Sequence, residues 1–374
     1  MTWDDHLVAA QSAARALSDL QINQARPVDP FEAIDTLRLE LQFQPLRDIL
    51  GAIVPGDNPG VLINSARPAS VQRYTAAHEI GHWYMDQDEL AIDTQEEIEG
   101  TPRLQRERRA QIFASHFLMP LDLLYATAAN YRVSKGGLVA PLQAYQMARD
   151  MHVSYRAAVY QLANCKFINT RNRDDLLRVQ PAQLKTALTS GRRPANTRGD
   201  VWAVDQLHGS THLEVFVGDE IVVALPERPS TGYRWIESCN HSEPRMGGFA
   251  PAPFGGREVI SWDQRRDTVL AIRPTELTEP ALVKVADELD SESAALPVKA
   301  RIGATGIRRI GFGATRPGTS SVELDYTRPF SSAAPVRSMQ LNTHVRALPD
   351  VEERQRRLRT FAREELELGE GRPS

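Results

Sequence analysis

Over the first 165 residues the apolar positions recur at two different spacings, and their alternation defines the elements. Leu7 to Leu20 and Pro30 to Leu37 carry the three-to-four-residue repeat of an amphipathic helix; Asp29 supplies an N-cap and Pro30 a helix-compatible first position. Leu39 to Phe43, Ala52 to Val54 and Val61 to Asn64 are short strand-type runs, interrupted by Gly51, Pro55-Gly56 and Pro59-Gly60. Helical spacing returns from about Val71 to Met85 and from about Leu104 to Leu118, where Pro120 stops it. Helices beside a small sheet make an α+β domain. Leu142 to Asp150 and Ser154 to Ala163 read as two short helices joined by the tight turn Met151-His152-Val153, a helix-turn-helix-like pair over 142–163. Ala148, Val153, Ala158 and Leu162 are spaced to pack between them.

The texture then changes. Residues 166–200 are basic and punctuated, as in Gly191-Arg192-Arg193-Pro194, and read as a linker with a short helix over Ala182 to Leu188. Residues 201–346 read as all-β, with strand runs at Leu213 to Val217, Glu220 to Leu225, Thr268 to Ile272 and Ser321 to Tyr326 between Gly/Pro-rich turns. Residues 347–374 form a charged helical tail whose large apolar side chains are Leu358, Phe361, Leu366 and Leu368. The expectation is a multidomain chain: an α+β domain over 1–165, the linker, a β domain and the tail.

Composition narrows the class. With 374 residues, 41% hydrophobic and 25% charged, the chain suits a soluble protein with more than one core. A net charge of −4 provides no basic field for nucleic acid. The opening MTWDDHLVAAQSAARAL lacks the basic segment and apolar stretch of a secretory signal, and no apolar run is long enough to span a bilayer. Cys165 and Cys239, far apart, make no disulfide framework. A cytoplasmic location is expected.

The chemistry concentrates at His78-Glu79-Ile80-Gly81-His82. On a helix the two imidazoles, four positions apart, share a face and can reach one ion, and Glu79 lies beside them where a carboxylate can take a proton from water. A solvated helix could hold two histidines by accident, but Ala76-Ala77 and Trp83-Tyr84 flank the motif with apolar residues and indicate burial. A catalytic ion needs a third protein ligand. Asp86, Asp93, Glu96, Glu97, Glu99 and Glu107 follow in the chain. Helix phase favours Glu107, which falls on the face of Leu104, Gln111, Ala114 and Leu118 with Ala110 beside it, while Arg106, Arg108 and Arg109 mostly point elsewhere. A carboxylate facing a core is costly without a compensating charge. Glu96, Glu97 and Glu99 belong to an acidic stretch suited to solvent. His116 stands as an alternative ligand, with an ordinary interior or surface histidine the plainer reading. Two imidazoles and one carboxylate accept zinc or manganese. The intact Glu79 favours catalysis, because a structural metal site has no need of a base.

The stretch Arg73-Tyr74-Thr75-Ala76-Ala77-His78-Glu79-Ile80-Gly81-His82, followed by Glu107 through Ala110-Gln111-Ile112-Phe113-Ala114 to Leu118-Met119-Pro120, resembles the ImmA/IrrE family of metallopeptidases over roughly residues 10 to 165. Gln111 replaces the usual Asn and Phe117 the usual Leu. The resemblance implies a zincin-like fold with His78, His82 and Glu107 as metal ligands and Glu79 as general base. It further implies cleavage of a helix-turn-helix transcriptional repressor, which links the activity to transcription regulation and stress genes. In this chain the second helix of the pair offers only Arg156 as a cation among Tyr155, Tyr160 and Gln161, which suits packing or substrate docking better than DNA reading.

In the β domain, Pro229-Ser230-Thr231-Gly232-Tyr233-Arg234-Trp235 makes a sharply turned loop with two aromatics alternating onto one face. Together with the glycine-rich segment around Gly303 and Gly306 and with Arg328-Pro329-Phe330, it resembles the chagasin-like inhibitors of papain-type cysteine proteases. Arg228, Ser230 and Phe330 depart from that pattern. The resemblance implies an immunoglobulin-like β-sandwich whose three loops converge on a protein partner. Two readings follow: a metal-dependent endopeptidase with a β domain for recognition or regulation, or an inhibitor-like or other protein-binding module with a non-catalytic metal site. A third, a DNA-binding regulator, is disfavoured by the charge.

Overall fold

Helix α1 (Trp3–Asp19) buries Ala9, Ala13, Ala16 and Leu17 on one face, and α2 (Pro30–Thr36) starts where the Asp29 side chain accepts a hydrogen bond from the Phe31 amide. These observations come from a computed structural model that describes residues 3–54, 56–86, 91–94, 105–204, 210–238, 280–291, 306–329, 334–354 and 356. The chain divides into two units, residues 1–200 with 347–374, and residues 201–346.

The first unit has a four-stranded sheet in the order β1-β3-β2-β4, from β1 (Glu40–Gln44), β2 (Ile49–Val54), β3 (Gly60–Asn64) and β4 (Ala91–Thr94). β1 pairs with β3 in parallel, and β2 runs antiparallel to β3 and β4. Gly51 does not break β2, as its composition suggests; the strand begins at Ile49 and runs through it. Helix α3 (Ala69–Met85) lies against β2 and β3, and α4 (Gln105–Leu118) lies against α3 and α1. α5 (Leu121–Asn130), α6 (Pro141–Asp150) and α7 (Tyr155–Asn164) follow. The α6–α7 turn buries Met151 and Val153, and Ala148, Ala158 and Leu162 are buried beside them. Ser154 caps α7 by accepting from the Ala157 amide.

Residues 166–200, expected as a linker with a short helix over Ala182 to Leu188, belong to the first unit; the expected helix is α9 (Pro181–Leu188), and the unexpected α8 (Thr170–Leu177) precedes it. The local signals are an Asn169 cap and a Pro181 at the first helical position. Basic residues set the composition, but Leu176, Leu184 and Leu188 reach the main core, and buried Asn172 binds both the amide and the carbonyl of Val139. The last segment also joins this unit: residues 349–354 are helical, and Arg356 pairs with Asp35 at 2.9 Å. Residues 357–374, with the tail's Leu358, Phe361, Leu366 and Leu368, lie outside the described residues. Among the described residues no single helix is long and apolar enough to cross a membrane.

The second unit has two four-stranded sheets. One has the order β5-β7-β10-β9, from β5 (Val201–Val204), β7 (Glu220–Glu227), β10 (Gly306–Ala314) and β9 (Leu282–Ser291). The other has the order β6-β12-β11-β8, from β6 (Ser210–Phe216), β12 (Arg337–Arg346), β11 (Gly318–Thr327) and β8 (Arg234–Glu237). Ile221, Val223, Leu225, Ile310 and Phe312 from the first sheet share one core with Trp235, Leu324, Met339, Leu341 and Val345 from the second. Their period-two spacing places them on the facing sides of the two sheets. The expected strand Thr268 to Ile272 lies outside the described residues.

Candidate functional site

Helix α3 is buried on every side from Thr75 to His82, yet it carries Gln72, Arg73, Thr75, His78, Glu79 and His82 among its buried residues. Each such group must recover what water gave it. Gln72 donates to the carbonyls of Ser65 and Arg67. Arg73 donates to the carbonyls of Val28 and His152 and lies 3.9 Å from Asp29, so it ties α3 to the cap of α2 and to the α6–α7 turn.

His78 and His82 meet Glu107 from α4. Their Nε2 atoms are 3.2 Å apart, and each lies 3.3 Å from Glu107 Oε2. Ligands about 2.0 Å from a tetrahedral ion stand about 3.3 Å from one another, so this triangle has the size of one face of such a site. The donor set of two imidazoles and a carboxylate, all buried, fits a divalent metal ion. Asp86 Oδ2 lies 2.9 Å from His82 Nδ1. That contact holds the ring proton on Nδ1 and leaves the Nε2 lone pair facing the cluster. Arg106 Nε donates to the other oxygen of Glu107 at 2.8 Å. Burial alone would raise the Glu107 carboxyl, but hydrogen bonds and charge from His78 and His82 outweigh it and hold the group well below the usual carboxylate range.

Glu107 reaches this point because α4 packs closely on α3. A Cβ at Gly81 would stand 3.1–3.2 Å from Phe113, so the absent side chain sets how near the two helices come. The inward face of α4 is Glu107, Ala110, Phe113, Ala114, Phe117 and Leu118, with Gln111 only half-buried. Phe113 and Phe117 therefore carry more of the packing than the phase of Gln111 suggests. Glu79 is buried beside the cluster, and one of its oxygens faces the backbone of Gly51.

Of the other acidic candidates, Asp86 hydrogen-bonds His82 instead of joining the cluster, a contact that its four-residue spacing from His82 could have signalled. Asp93 pairs with Gly51 in β4, and Glu96, Glu97 and Glu99 lie outside the described residues. His116 is not in the cluster. It sits edge-on to His6 of α1 at 5.2 Å, with Gln161 at 3.4 Å. Burial, with the nearby His6, pushes its pKa down to about 4.

In the second unit, Pro229, Ser230 and Thr231 form a single 3-10 turn after β7, followed by Gly232 and Tyr233. Gly306 pairs with Glu227 and Thr327 with Arg234, so Pro229 to Tyr233, Gly306, Arg328 and Pro329 lie at one end of this unit. The Arg328 guanidinium covers the Tyr233 ring at 4.8 Å, and Tyr326 lies 5.6 Å from Tyr233 and 5.2 Å from Trp235. Gly303 and Phe330 lie outside the described residues.

His78 and His82 of α3 and Glu107 of α4 thus form a buried group that could hold a metal ion, with Glu79 next to His78 in the chain. Residues 34–163 match the model of the IrrE N-terminal-like domain. The radiation response metalloprotease IrrE of Deinococcus radiodurans is 30% identical over 166 residues, which are 43% of this chain and 48% of that protein. Its counterpart from Deinococcus deserti is 32% identical over 128 residues, 33% of this chain and 43% of that protein. The chain thus spans about half the length of the curated relatives it matches. Two solved structures are similar to its C-terminal part. The cysteine protease inhibitor EhICP2 of Entamoeba histolytica is 18% identical, with 39% of this chain and 96% of that one covered and a TM-score of 0.25. Amebosin is also 18% identical, with 38% and 100% covered and a TM-score of 0.22.

Proposed function

We propose that this chain is a zinc-dependent endopeptidase that cleaves a helix-turn-helix transcriptional repressor, with the β domain recognising or regulating through a protein contact. The convergence of His78, His82 and Glu107 beside buried Glu79 carries the proposal. His78, His82 and Glu107 would hold a divalent ion, which would supply Lewis acidity for the peptide carbonyl and the attacking water. The chain's own groups do the rest. Glu79 takes the proton of the attacking water on its carboxylate and returns it to the departing amine. Asp86 fixes the His82 tautomer, and Arg73 anchors the helix that carries the motif. The repressor as substrate rests on the likeness of 34–163 to the IrrE domain and on the sequence resemblance to a family that cuts such proteins.

The test compares protein N-termini in host cells expressing wild type or Glu79→Gln, with and without DNA damage. A new terminus inside a helix-turn-helix repressor, present only with wild type, is the expected result. Identical termini in both strains under both conditions reject it.

A second reading, in which protein binding by the β domain is the whole function, draws on the Arg328, Tyr233, Tyr326 and Trp235 array. It expects substitutions at Thr231, Gly232 and Arg328 to abolish partner binding while Glu79→Gln changes nothing.

A further inference from the structure

Strand β2 is irregular where it crosses α3. Its pairing with β4 shifts between Ile49 and Gly51, an irregularity of the kind that re-aims a strand beside a site. Gly51 there comes against two residues one helical turn apart. A Cβ at this position would stand 2.4 Å from Thr75 Cγ2, 2.8 Å from Glu79 Oε1 and 3.0 Å from the Leu62 carbonyl oxygen. Thr75 and Glu79 are both wholly buried. Thr75 is β-branched and has few rotamers within a helix, so it has little room to yield. The Glu79 carboxylate ends a longer, more flexible side chain and is the group that a new methyl would push. The atoms nearest to a Cβ at position 51 belong to Thr75, Glu79 and Leu62, and none of them to His78, His82 or Glu107.

We infer that the bare backbone of Gly51 sets where the Glu79 carboxylate stands, which makes Gly51 a positioning residue for the base. Its effect on cleavage rests on the peptidase reading above; its effect on Glu79 does not. A side chain at position 51 displaces the carboxylate that must meet the attacking water and leaves the metal ligands in place. Misplacement of a catalytic group by about 1 Å costs about 100-fold in rate.

The experiment works in a Thr75→Ser background, which removes the nearest methyl and leaves Glu79 as the closest side chain. Gly51→Ala is introduced there with Glu79 intact and with Glu79→Ala, and melting temperature and bound zinc are measured for full-length chains. With Glu79 intact, Gly51→Ala is expected to lower the melting temperature by about 5 °C, the usual scale of overpacking. With Glu79→Ala the loss should vanish, and bound zinc should match the parent in both. Folding only in the Glu79→Ala background is the same result in stronger form. Equal losses in both backgrounds, failure of both to fold, or loss of zinc overturns the inference, because the obstacle is then the Leu62 backbone or the whole site. On the repressor identified from new N-termini, Gly51→Ala should lower kcat about 100-fold with KM unchanged; a raised KM with unchanged kcat overturns it. If no repressor is cut by any form, the peptidase reading fails while the melting comparison still decides the role of Gly51.

Discussion

Replacing Asp86 by Asn keeps an acceptor oxygen near His82 Nδ1 but removes its charge, which separates the support of a metal ligand from the packing of the helix. In the native site the contact is 2.9 Å and the Asp86 side chain is 18% exposed, so the interaction is partly screened and belongs at the low end of its class. Loss of such a supporting carboxylate typically weakens metal binding 10- to 100-fold. Tenfold weaker binding removes about 1.4 kcal/mol from the stability that a saturating ion adds. For a unit of this size that corresponds to a melting temperature lower by about 3–6 °C. The assay is thermal unfolding of wild type and Asp86→Asn at fixed free zinc and again in excess chelator, with a competition titration for affinity. The gap should appear with zinc and shrink to within about 0.5 kcal/mol with chelator, as for a partly exposed substitution that keeps its hydrogen bond. An equal gap in both conditions, or unchanged affinity, refutes the role given to Asp86.

Other consequences are open to measurement. Glu107→Gln removes the anionic ligand from the buried triangle and should abolish stoichiometric zinc by atomic absorption while the chain stays folded. His116, whose pKa is pushed down to about 4 by burial and by His6, should contribute an acid-linked loss of stability. Its unfolded value is 6.5, so as pH falls from 6.5 to about 4 the unfolded chain gains a proton that the folded chain refuses, and up to about 3 kcal/mol is lost across that window. His116→Gln should flatten that part of the stability–pH curve; an unchanged slope counts against it. In the β domain Arg308 binds Glu227 at 3.2 Å and Asp287 at 2.7 Å, and Glu227 is only 3% exposed. Arg308→Leu leaves that buried carboxylate without its cation, though still accepting from the Trp235 amide, and should cost about 3 kcal/mol in denaturant unfolding, with much of it restored by adding Glu227→Gln.

The grouping of His78, His82 and Glu107 was legible in the sequence because its logic is local twice over. Four-residue spacing puts His78 and His82 on one face, and the phase of α4 turns Glu107 inward where a carboxylate needs a cation. Both arguments use only helix geometry and the cost of burying charge. The strand runs read at β1, β2, β3, β6, β7 and β11 lie within a few residues of the observed strands, since alternation and turn residues bound them, whereas β4, β5, β8, β9, β10 and β12 are not among the runs read. Residues 166–200 misled because charge dominates their composition while a handful of apolar side chains decides their fate. Leu176, Leu184 and Leu188 are spread among arginines and lysines, yet each reaches the core. Composition averages over a segment, whereas packing depends on the few positions that face inward.

Gly51 shows a different kind of illegibility. In the sequence it interrupts a short apolar run and reads as a breaker, because glycine weakens a strand interior and commonly marks turns. Its reason for being there lies 28 positions away, at Glu79, and 24 away, at Thr75, and appears only when β2 is laid on α3. Asp86 and Arg73 follow the same rule in weaker form: one supports His82 from four positions on, and the other joins α3 to carbonyls at residues 28 and 152. His78, Glu79 and His82, two of the proposed ligands and the proposed base, repeat along one helix, so a motif captures them, and Glu107 follows from the phase of a second helix. What holds them in register is close approach between elements distant in sequence, expressed as much by a missing side chain as by a present one. Substitutions at Gly51 and Gly81 should therefore disturb the site without altering any group proposed to bind metal or move a proton.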